Sequence, residues 1–373
     1  MDFSIKRGIL QKELQLLQGV VDRKSTIPAL QNIYCRAVGD RLELTATDYD
    51  ITLRTGCEAS VKVAGETLLP ARKLAEILRN LPDMEVSIRK GSDTSVVVEC
   101  GRTRFRLPVE SVEDFPRMPE VSTKEHSVPG QVLRVLLRST LFTITQDEAR
   151  SGAGRYALSS LQLSTSGENI RAVATDGHRL AYAAVRGNLG LDSVLIPRKA
   201  VVEMERLLLA DAEENVGVAK AENQLAFVVG SRRLLVKLFA GTFPNWELVM
   251  PKQLQYSVEF SREELKGAIR RAALCADANS KAVRLMFTRG LLTATSESSD
   301  AGESTDQIDC NFEGPDLQIA FNSEYLLDFL EAIDSERVLF EFKDPTSQAL
   351  LRPIAETAAD AVEVKYVVMP MRL

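Results

Sequence analysis

Apolar positions recur along this chain with two different spacings. Over residues 74–81 and 133–144 the spacing is i, i+3, i+4, i+7, which places the apolar side chains on one face of an α-helix. Over residues 94–100, 104–109 and 234–239, apolar and polar positions alternate, as they do in a strand with one buried face. The pattern therefore predicts both amphipathic helices and half-buried strands.

A turn signal separates two of the alternating segments. Asp176-Gly177 stands between residues 170–174 and 179–185, and this pair of residue types favours the tight turns that join antiparallel strands. We therefore expect a β-hairpin at this position.

The predicted elements occur three times in the same order. Each set has a strand and a helix, a strand that ends in Ala-Thr or Ala-Thr-Asp, a strand that enters a second helix, and closing strands. The first helix of each set is predicted at residues 9–21, 132–144 and 263–274. The chain has 128 residues from Asp48 to Asp176 and again from Phe115 to Phe243, whereas Thr175 and Thr295 are 120 apart. Such repetition is typical of tandem units. We predict an α+β fold with mostly antiparallel sheet, in three similar domains at residues 1–125, 126–254 and 255–373.

Composition narrows the class of protein. The chain has 373 residues, 45% hydrophobic and 26% charged, so it is long enough for several packed domains and is not of a disordered composition. No apolar run approaches the ~20 residues that span a bilayer, and charged residues occupy the start of the chain, where a signal peptide would be apolar. The five cysteines are widely spaced without a Cys-x-x-Cys pair. These features favour a cytoplasmic protein without disulfides or membrane contact.

Catalytic and cofactor motifs are missing from the sequence. There are two histidines, His126 and His178, so a histidine-rich metal site cannot form, and no phosphate-binding glycine loop or nucleophile elbow is present. Asp48 and Asp50 form a carboxylate pair, but two acids in a turn are usually a solvated loop. We expect no metal, no cofactor and no catalytic residue.

Cations lie on the polar faces of several predicted helices, although the net charge is −6. Arg262, Lys266 and Arg270 follow one another at i, i+4 and i+8, and Arg134 and Arg138 are four residues apart. Either these faces are charged for solubility, or they follow the phosphates of a nucleic acid without reading its bases. The helix that starts near residue 323 carries acids instead.

The C-terminal segment and the Asp-Gly turn each allow two interpretations. The chain ends Tyr-Val-Val-Met-Pro-Met-Arg-Leu, and a last strand explains residues 366–368 but not Met-Pro-Met, because proline ends a strand ladder. Methionine suits an adaptable binding surface. The turn at residues 175–180 is either a solvated hairpin or the polar rim of an apolar recess.

These segments resemble a known family. The motifs Ala-Thr-Asp-Gly-His-Arg-Leu-Ala at residues 174–181, Ile-Pro-Arg-Lys at 196–199, Phe-Pro at 243–244 and the terminal octet are similar to those of the bacterial β sliding clamps, the β subunits of DNA polymerase III. The resemblance covers the whole chain. It implies a non-catalytic homodimer, closed head to tail into a ring around duplex DNA, with sheets outside and helices lining the hole. It also implies sequence-independent DNA contact and, as protein partners, the polymerase III α subunit, the clamp loader δ subunit, translesion polymerases, mismatch-repair proteins and ligase.

The resemblance also implies roles for individual positions. It assigns to a partner-peptide pocket between the second and third domains Leu158, Thr175, Gly177, His178, Arg179, Leu180, Pro244, Leu248, Val249, Asn322, Tyr325, Ser347, Val367, Val368, Met369, Pro370, Met371 and Arg372. Together with the helix cations, it places towards DNA Arg23, Lys24, Arg72, Lys73, Arg79, Arg134, Arg138, Gln146, Tyr156, Arg198, Lys199, Lys266 and Arg270. For the dimer interface we expect an edge strand with Arg102, Arg104, Phe105 and Leu107, facing Ala272, Leu274 and Cys275 of the other copy.

This sequence departs from the family pattern at three places. Leu248 stands where some members have arginine, Ser280 stands where some have an aromatic residue, and residues 151–154 look inserted. The first two differences bear on one flank of the pocket, and the third bears on DNA contact.

Two other functions compete with a clamp. One is an enzyme with its active site at His178, which would need a partner base and a phosphate or metal site. The other is a monomeric β-rich adaptor that binds peptides without encircling DNA, which gel filtration separates from a dimer.

Overall fold

A computed structural model describes residues 1–22, 25–116, 126–146, 156–210, 215–354 and 362–372. Its α-helices are α1 (Arg7–Val20), α2 (Ala71–Asn80), α3 (Gly130–Leu141), α4 (Arg198–Ala210), α5 (Arg262–Ala272) and α6 (Ser323–Ala332). The strands of the first predicted domain are β1 (Asp2–Lys6), β2 (Asn32–Val38), β3 (Arg41–Thr47), β4 (Ile51–Glu58), β5 (Ser60–Val63), β6 (Gly65–Pro70), β7 (Glu85–Ser92), β8 (Ser95–Cys100) and β9 (Thr103–Pro108).

The later strands repeat this order. In the second predicted domain they are β10 (His126–Pro129), β11 (Ser160–Ser166), β12 (Asn169–Thr175), β13 (Arg179–Arg186), β14 (Val194–Pro197), β15 (Asn215–Ala221), β16 (Gln224–Val229) and β17 (Arg232–Lys237). In the third they are β18 (Tyr256–Ser261), β19 (Ala282–Thr288), β20 (Leu291–Ser298), β21 (Gly302–Asp309), β22 (Leu317–Asn322), β23 (Arg337–Phe342), β24 (Ala349–Pro353) and β25 (Glu363–Val368). All strand pairs in the described residues are antiparallel, as the alternating pattern predicted.

Contacts divide the chain into two compact units, and each contains part of the second repeat. The first unit comprises residues 1–131 and 199–238, and the second comprises residues 132–198 and 239–373. This division groups strands of different repeats and does not test the predicted domain boundaries near residues 125 and 254. Those boundaries stay a prediction.

The first unit has two sheets. One has the order β5-β1-β7-β8-β9, and the other the order β10-β15-β16-β17-β4-β3-β2-β6. In the larger sheet β17 of the second repeat pairs with β4 of the first, with Leu234 opposite Leu53 and Val236 opposite Ile51. This ladder makes one sheet from two repeats.

Helices α1, α2 and α4 bury apolar faces in the first unit. The buried side chains include Leu10, Leu14, Leu17, Leu74, Leu78, Val201, Met204 and Leu208. Gly19 allows α1 and α4 to approach closely, since a Cβ at this position would collide with the Glu203 carboxylate. A larger residue there would displace Glu203.

The second unit repeats this arrangement. Its sheets have the orders β14-β11-β12-β13-β25-β24-β23-β18 and β21-β20-β19-β22. Here β13 of the second repeat pairs with β25, the last strand of the chain, and Leu180 lies opposite Val367. Behind this ladder, the buried ring of Tyr366 stacks on Phe329 of α6 with 4.9 Å between centroids.

The predicted hairpin is confirmed, whereas helix ends differ from the prediction. Strands β12 and β13 flank the Asp176-Gly177 turn. Helix α3 ends at Leu141 rather than at residue 144, and the Thr140 hydroxyl donates to the carbonyl of Leu136 over 2.8 Å in its last turn. Helix α5 ends at Ala272 and continues as a short 3₁₀ helix, Ala273–Cys275.

Candidate functional site

The turn between β12 and β13 is held by its own side chains. The Asp176 carboxylate accepts hydrogen bonds from the backbone N–H of His178 (2.9 Å) and of Arg179 (3.0 Å). The Thr175 hydroxyl donates to the carbonyl of Arg179 over 2.7 Å, and Gly177 adopts a φ of 91°, which favours glycine. The Asp-Gly sequence thus produces a rigid turn at the edge of a cavity.

The C-terminal segment is fastened to two different elements. The backbone N–H of Met369 donates to the carbonyl of His178 over 3.0 Å, and that of Met371 donates to the carbonyl of Ala320 in β22 over 2.7 Å. A chain end is ordered when it is tied down in this way. Met-Pro-Met therefore runs from the turn to a second sheet, and Met369 remains exposed.

A cavity of about 290 Å³ lies beside the β13–β25 ladder in the second unit. It is lined by Leu158, Thr175, Gly177, His178, Arg179, Leu180, Pro244, Trp246, Val249, Val367 and Met369. All of these except Trp246 were predicted pocket residues. The lining combines residues of the second repeat with the C-terminal segment.

Trp246 is the pocket residue that the sequence analysis missed. It is the only tryptophan of the chain and opens a 3₁₀ helix, Trp246–Leu248, just after the Phe-Pro motif. Its ring lies 5.1 Å from that of Tyr182, and burial raises the pKa of Tyr182. A lone tryptophan two residues after Pro244 was the available signal, because aromatic side chains often line binding sites.

Arg179 connects the turn to the helices behind the sheet. Its guanidinium donates to Asp176 (3.0 Å), to Asp328 of α6 (2.7 Å) and to the carbonyl of Phe142 (2.9 Å). It also lies 4.3 Å from the centroid of the Tyr325 ring. Burial alone would lower the pKa of Arg179, but Tyr366, Asp328 and Asp176 outweigh burial and raise it. The guanidinium of Arg179 is therefore bonded to groups of the protein itself.

Several predicted pocket residues lie outside the cavity wall. Val368 is fully buried, Asn322 caps α6 by accepting from Glu324 N–H (2.9 Å), and Tyr325 packs against Arg179. The Ser347 hydroxyl donates to Asp344 over 2.8 Å and helps to lower the pKa of that carboxyl to about 2. The structure does not bring Leu248, Pro370, Met371 or Arg372 into the cavity lining either.

Two larger grooves are less suited to an apolar ligand. One, of about 860 Å³, is lined by carboxylates such as Glu259, Glu263 and Asp309, and another, of about 1230 Å³, lies in the first unit among Arg36, Arg54 and other polar residues. The smaller cavity has convergent apolar walls and a few placed polar groups, as ligand pockets usually do.

The cationic stripe of α5 is partly neutralised by an acid of α6. Arg270 donates to Glu331 of α6 over 2.7 Å, and Lys266 lies 3.8 Å from the same carboxylate. Arg262 is half-buried and donates to the carbonyls of Leu330 and Ile333. Glu331 lies about 60 positions from these cations in the sequence, and the fold brings it to them.

Other predicted DNA-facing cations vary in their surroundings. Arg72 and Arg79 are exposed, whereas Lys73 pairs with Glu76 over 2.9 Å and Lys199 pairs with Asp48. Nη1 of Arg138 donates to both carboxylate oxygens of Asp334, each over 2.8 Å. Arg198 donates to the carbonyl of Leu141, Arg134 is half-buried and Gln146 is exposed. Arg23, Lys24, the side chain of Tyr156 and the inserted residues 151–154 lie outside the described residues.

The predicted dimer residues lie on one edge strand and beside another. β9, which carries Arg104, Phe105 and Leu107, is the last strand of its sheet, and exposed Arg102 precedes it. Ala272 is buried at the end of α5, but Leu274 on the following 3₁₀ helix is 75% exposed and Cys275 is partly exposed. The neighbouring edge strand is β21, whose Ser304 hydroxyl donates to the Ala272 carbonyl over 2.6 Å.

The part of the chain that the structure describes contains neither a candidate metal site nor a candidate membrane-spanning helix. No group of His, Cys, Asp or Glu side chains there could hold a metal ion. None of the helices there is both long and apolar enough to span a membrane.

Comparisons with known proteins cover the whole chain. Family models of the DNA polymerase III beta subunit match it in succession, the N-terminal domain at residues 1–119, the central domain at 127–245 and the C-terminal domain at 247–372. The beta sliding clamp of Caulobacter vibrioides is 35% identical over 386 residues, and that of Pseudomonas aeruginosa 34% over 380, each with 100% of both chains covered. The crystal structure of the Pseudomonas aeruginosa clamp bound to griselimycin has a TM-score of 0.90 at 34% identity. The Caulobacter crescentus clamp has a TM-score of 0.86 at 34% identity, and both structural matches cover 100% of both chains.

Proposed function

We propose, from the premise that this chain belongs to the DNA polymerase III beta subunit family of sliding clamps, that it is a DNA polymerase processivity factor. It acts as a ring-shaped homodimer around duplex DNA in the cytoplasm and tethers the replicative polymerase through a peptide-binding pocket. The three-domain clamp fold and the full-length relatives support this function.

The observation that carries the pocket assignment is the fastening of the C-terminal segment. Met369 is tied to the turn and Met371 to β22, so that Met369 and Val367 join Leu180 and Trp246 around one cavity. We expect the cavity to bind a short extended peptide with apolar anchors from the polymerase α subunit, the clamp loader δ subunit and repair proteins. Griselimycin, which the Pseudomonas aeruginosa clamp binds in its structure, is a further ligand to test.

Apolar burial sets the affinity of this pocket. Each Leu- or Phe-sized anchor contributes roughly 1.5–3 kcal/mol, and two or three anchors, less the cost of ordering the peptide, give about micromolar binding. Binding of that strength lets partners exchange on one ring. Methionine at the rim accommodates several sequences.

The exposed helix cations are proposed to follow DNA phosphates. Arg72 and Arg79 are exposed, and the cations paired with Glu76, Asp48, Asp334 and Glu331 carry less free charge. Partial neutralisation suits a protein that slides, because weak phosphate contacts hold the duplex without fixing its position.

The ring is proposed to close between β9 of one copy and the β21 edge of the other. Such a contact joins two different surfaces, and it closes after two copies only if the geometry forms a ring. Arg104 and Arg106 are exposed on β9 while Glu303 and Asp309 are exposed on β21, so the edges carry opposite charge. Exposed Leu274 beside β21 supplies an apolar contact.

The rival enzyme at His178 is not supported by the turn. His178 is exposed, and its ring lies 6.4 Å from that of Tyr325. Asp176, the adjacent carboxylate, is bonded to two backbone N–H groups and to Arg179, so it does not orient the imidazole as a catalytic base requires. We propose that the chain is not an enzyme.

Retention on circular DNA tests the ring. A protein that makes 6–10 phosphate contacts loses roughly 10³–10⁵ in affinity between 50 and 200 mM salt. A closed ring, once loaded on nicked circular DNA, should stay bound at high salt and leave when the circle is cut. Equal salt sensitivity on circular and linear DNA contradicts the ring, and elution at the monomer mass favours the peptide-binding adaptor.

A further inference from the structure

Two turns of the chain are built in the same way. In the turn between β3 and β4, the Asp48 carboxylate accepts hydrogen bonds from the backbone N–H of Asp50 (3.0 Å) and of Ile51 (2.7 Å). The Thr47 hydroxyl donates to the carbonyl of Ile51 over 3.0 Å. The turn between β12 and β13 at the edge of the cavity, here called the pocket turn, has the same three bonds 128 residues further along.

The two turns differ in the residue that follows the aspartate. In the pocket turn this residue is Gly177, with a φ of 91°, and in the first unit it is Tyr49, with a φ of 74°. Both angles lie in the left-handed region, which glycine adopts freely and in which a bulky side chain is strained. Tyrosine at this position therefore destabilises the turn relative to glycine.

Packing within the chain does not offset the strain at Tyr49. The residue is 58% exposed, and within the described residues its ring stacks on no other ring and its hydroxyl makes no hydrogen bond. Lys281 also has a positive φ, but its backbone N–H donates to the Asp277 carbonyl over 2.8 Å and its ammonium pairs with Glu324. The fold thus uses the side chain of Lys281 and leaves that of Tyr49 at the surface.

The two carboxylates that flank Tyr49 are both paired. Asp48 pairs with Lys199 of α4, and Asp50 pairs with Lys237 at the end of β17 over 3.4 Å. Both ammonium groups remain about half-exposed. A phosphate that approaches the turn therefore meets exposed cations and no unpaired carboxylate of the turn itself.

The turn lies beside cations that are proposed to follow DNA. Lys199 is one of them, and its ammonium also donates to the carbonyl of Val20 at the end of α1 over 3.4 Å. Another proposed DNA-facing pair, at residues 23–24, follows α1 in the sequence. Tyrosine hydroxyls are among the neutral donors that contact phosphates in protein–DNA interfaces without reading the bases.

We propose that Tyr49 contacts DNA, with its hydroxyl donating a hydrogen bond to a phosphate of the duplex beside Lys199. The inference rests on the proposed clamp function and adds a contact from a turn to those from the helices. Because tyrosine is neutral, this contact strengthens binding without changing the dependence of binding on salt. The strain of the turn is then an exchange of stability for binding, as strained residues at functional sites often are.

Replacing Tyr49 by glycine should stabilise the protein and weaken its binding of DNA. Tyr49→Gly removes the strain, so we expect Tm to rise by about 2–4 °C. The intact dimer is titrated into a short fluorescein-labelled duplex at low salt, and anisotropy reports binding. The Kd of the variant should be about three-fold or more above that of the wild type, as for the loss of one hydrogen bond. The slope of log Kd against log salt should stay unchanged.

Two further variants separate the hydroxyl from the backbone. Tyr49→Phe keeps the ring and the strain, so it should weaken DNA binding as Tyr49→Gly does, without a gain in Tm. Glu222→Gly is the matched control, because Glu222 is exposed in the β15–β16 turn with a φ of 47°. It should raise Tm without weakening DNA binding. Gel filtration checks that all variants remain dimers.

Three results overturn the inference. If both Tyr49 variants bind the duplex as tightly as the wild type, the side chain does not touch DNA, and a loss of polymerase stimulation in those variants then assigns it to a protein partner. If only Tyr49→Gly weakens binding, the hydroxyl is not the contact. If the salt slope falls in either variant, the substitution has disturbed a cation instead. Failure of the wild type to stay on circular DNA is a separate result, which contradicts the proposed clamp function itself.

Discussion

Glu13 and Arg232 form a buried ion pair between the first and second repeats. Arg232 on β17 donates to the two carboxylate oxygens of Glu13 on α1 over 2.6 and 3.0 Å, and the Thr55 hydroxyl donates to the same carboxylate. Both charged side chains are 7% exposed. Such a pair adds little net stability over apolar residues of the same size, but the loss of one partner strands the other charge.

Replacing Glu13 by glutamine should therefore destabilise the protein strongly. We expect Glu13→Gln to lower the free energy of unfolding by about 3–5 kcal/mol, because the amide keeps a hydrogen bond but removes the carboxylate charge that faces the buried Arg232 guanidinium. Urea unfolding measures the loss. Glu76→Gln, which removes the exposed partner of Lys73, is the control and should change stability little. A neutral Glu13→Gln variant means that Arg232 has a second adequate partner.

At the scale of single residues, features that depend only on neighbouring residues can be predicted from the sequence. The hairpin at Asp176-Gly177 follows from an aspartate that accepts its own turn's N–H groups and a glycine with positive φ. The neutralisation of Arg179 depends on Asp328, which lies 149 positions away, and no local pattern indicates that contact.

At the scale of elements, the C-terminal segment contributes some residues to the core and others to the pocket. Tyr366 and Val368 are core residues of β25, whereas Met369 lines the cavity and Met371 is only tied to Ala320. Deletion of residues 369–373 should thus abolish peptide and polymerase binding and leave the dimer intact. Peptide titration and gel filtration measure the two effects separately.

Two outcomes contradict this assignment. If the truncated protein binds polymerase normally, the pocket lies elsewhere. If it unfolds, the segment is part of the core. A truncation at residue 373 alone is the control, since the fastened N–H groups of Met369 and Met371 remain.

The edge strands allow a test of assembly with compensating charges. Arg104→Glu with Arg106→Glu on β9 should give monomers, because like charges then face the acidic β21 edge, and Glu303→Arg with Asp309→Arg should do the same. A mixture of the two variants should recover dimers, seen by gel filtration or ultracentrifugation. Unchanged dimers in both variants place the interface elsewhere.

Helix positions were more predictable than helix partners. The spacing of Leu74, Ile77 and Leu78 specifies the buried face of α2. In contrast, the pairing of Arg270 and Lys266 with Glu331 follows from the packing of α5 on α6, which residue spacing along one helix does not reveal. The end of α3 was also missed, because its last turn is closed by a threonine hydroxyl rather than by glycine or proline.

At the scale of the whole molecule, repeats and sheets do not coincide. The larger sheet of each unit combines strands of two repeats, through the β17–β4 ladder in the first unit and the β13–β25 ladder in the second. The sequence shows three copies of one pattern, but it does not show which copies share a sheet. Each copy of the pattern has similar edge strands, so the pattern alone does not indicate which two edges pair.

The β17–β4 ladder has a consequence for a chain broken between the first two repeats. Residues 1–124 and 125–373, produced as separate chains, should associate into a particle of native size, because the ladder and the Glu13–Arg232 pair join the fragments without a peptide bond. Co-expression with one tagged fragment tests this, and Glu13→Gln in the short fragment should weaken capture. A clamp cut at this connection would then remain threaded on its DNA, and the cut would become visible only after denaturation.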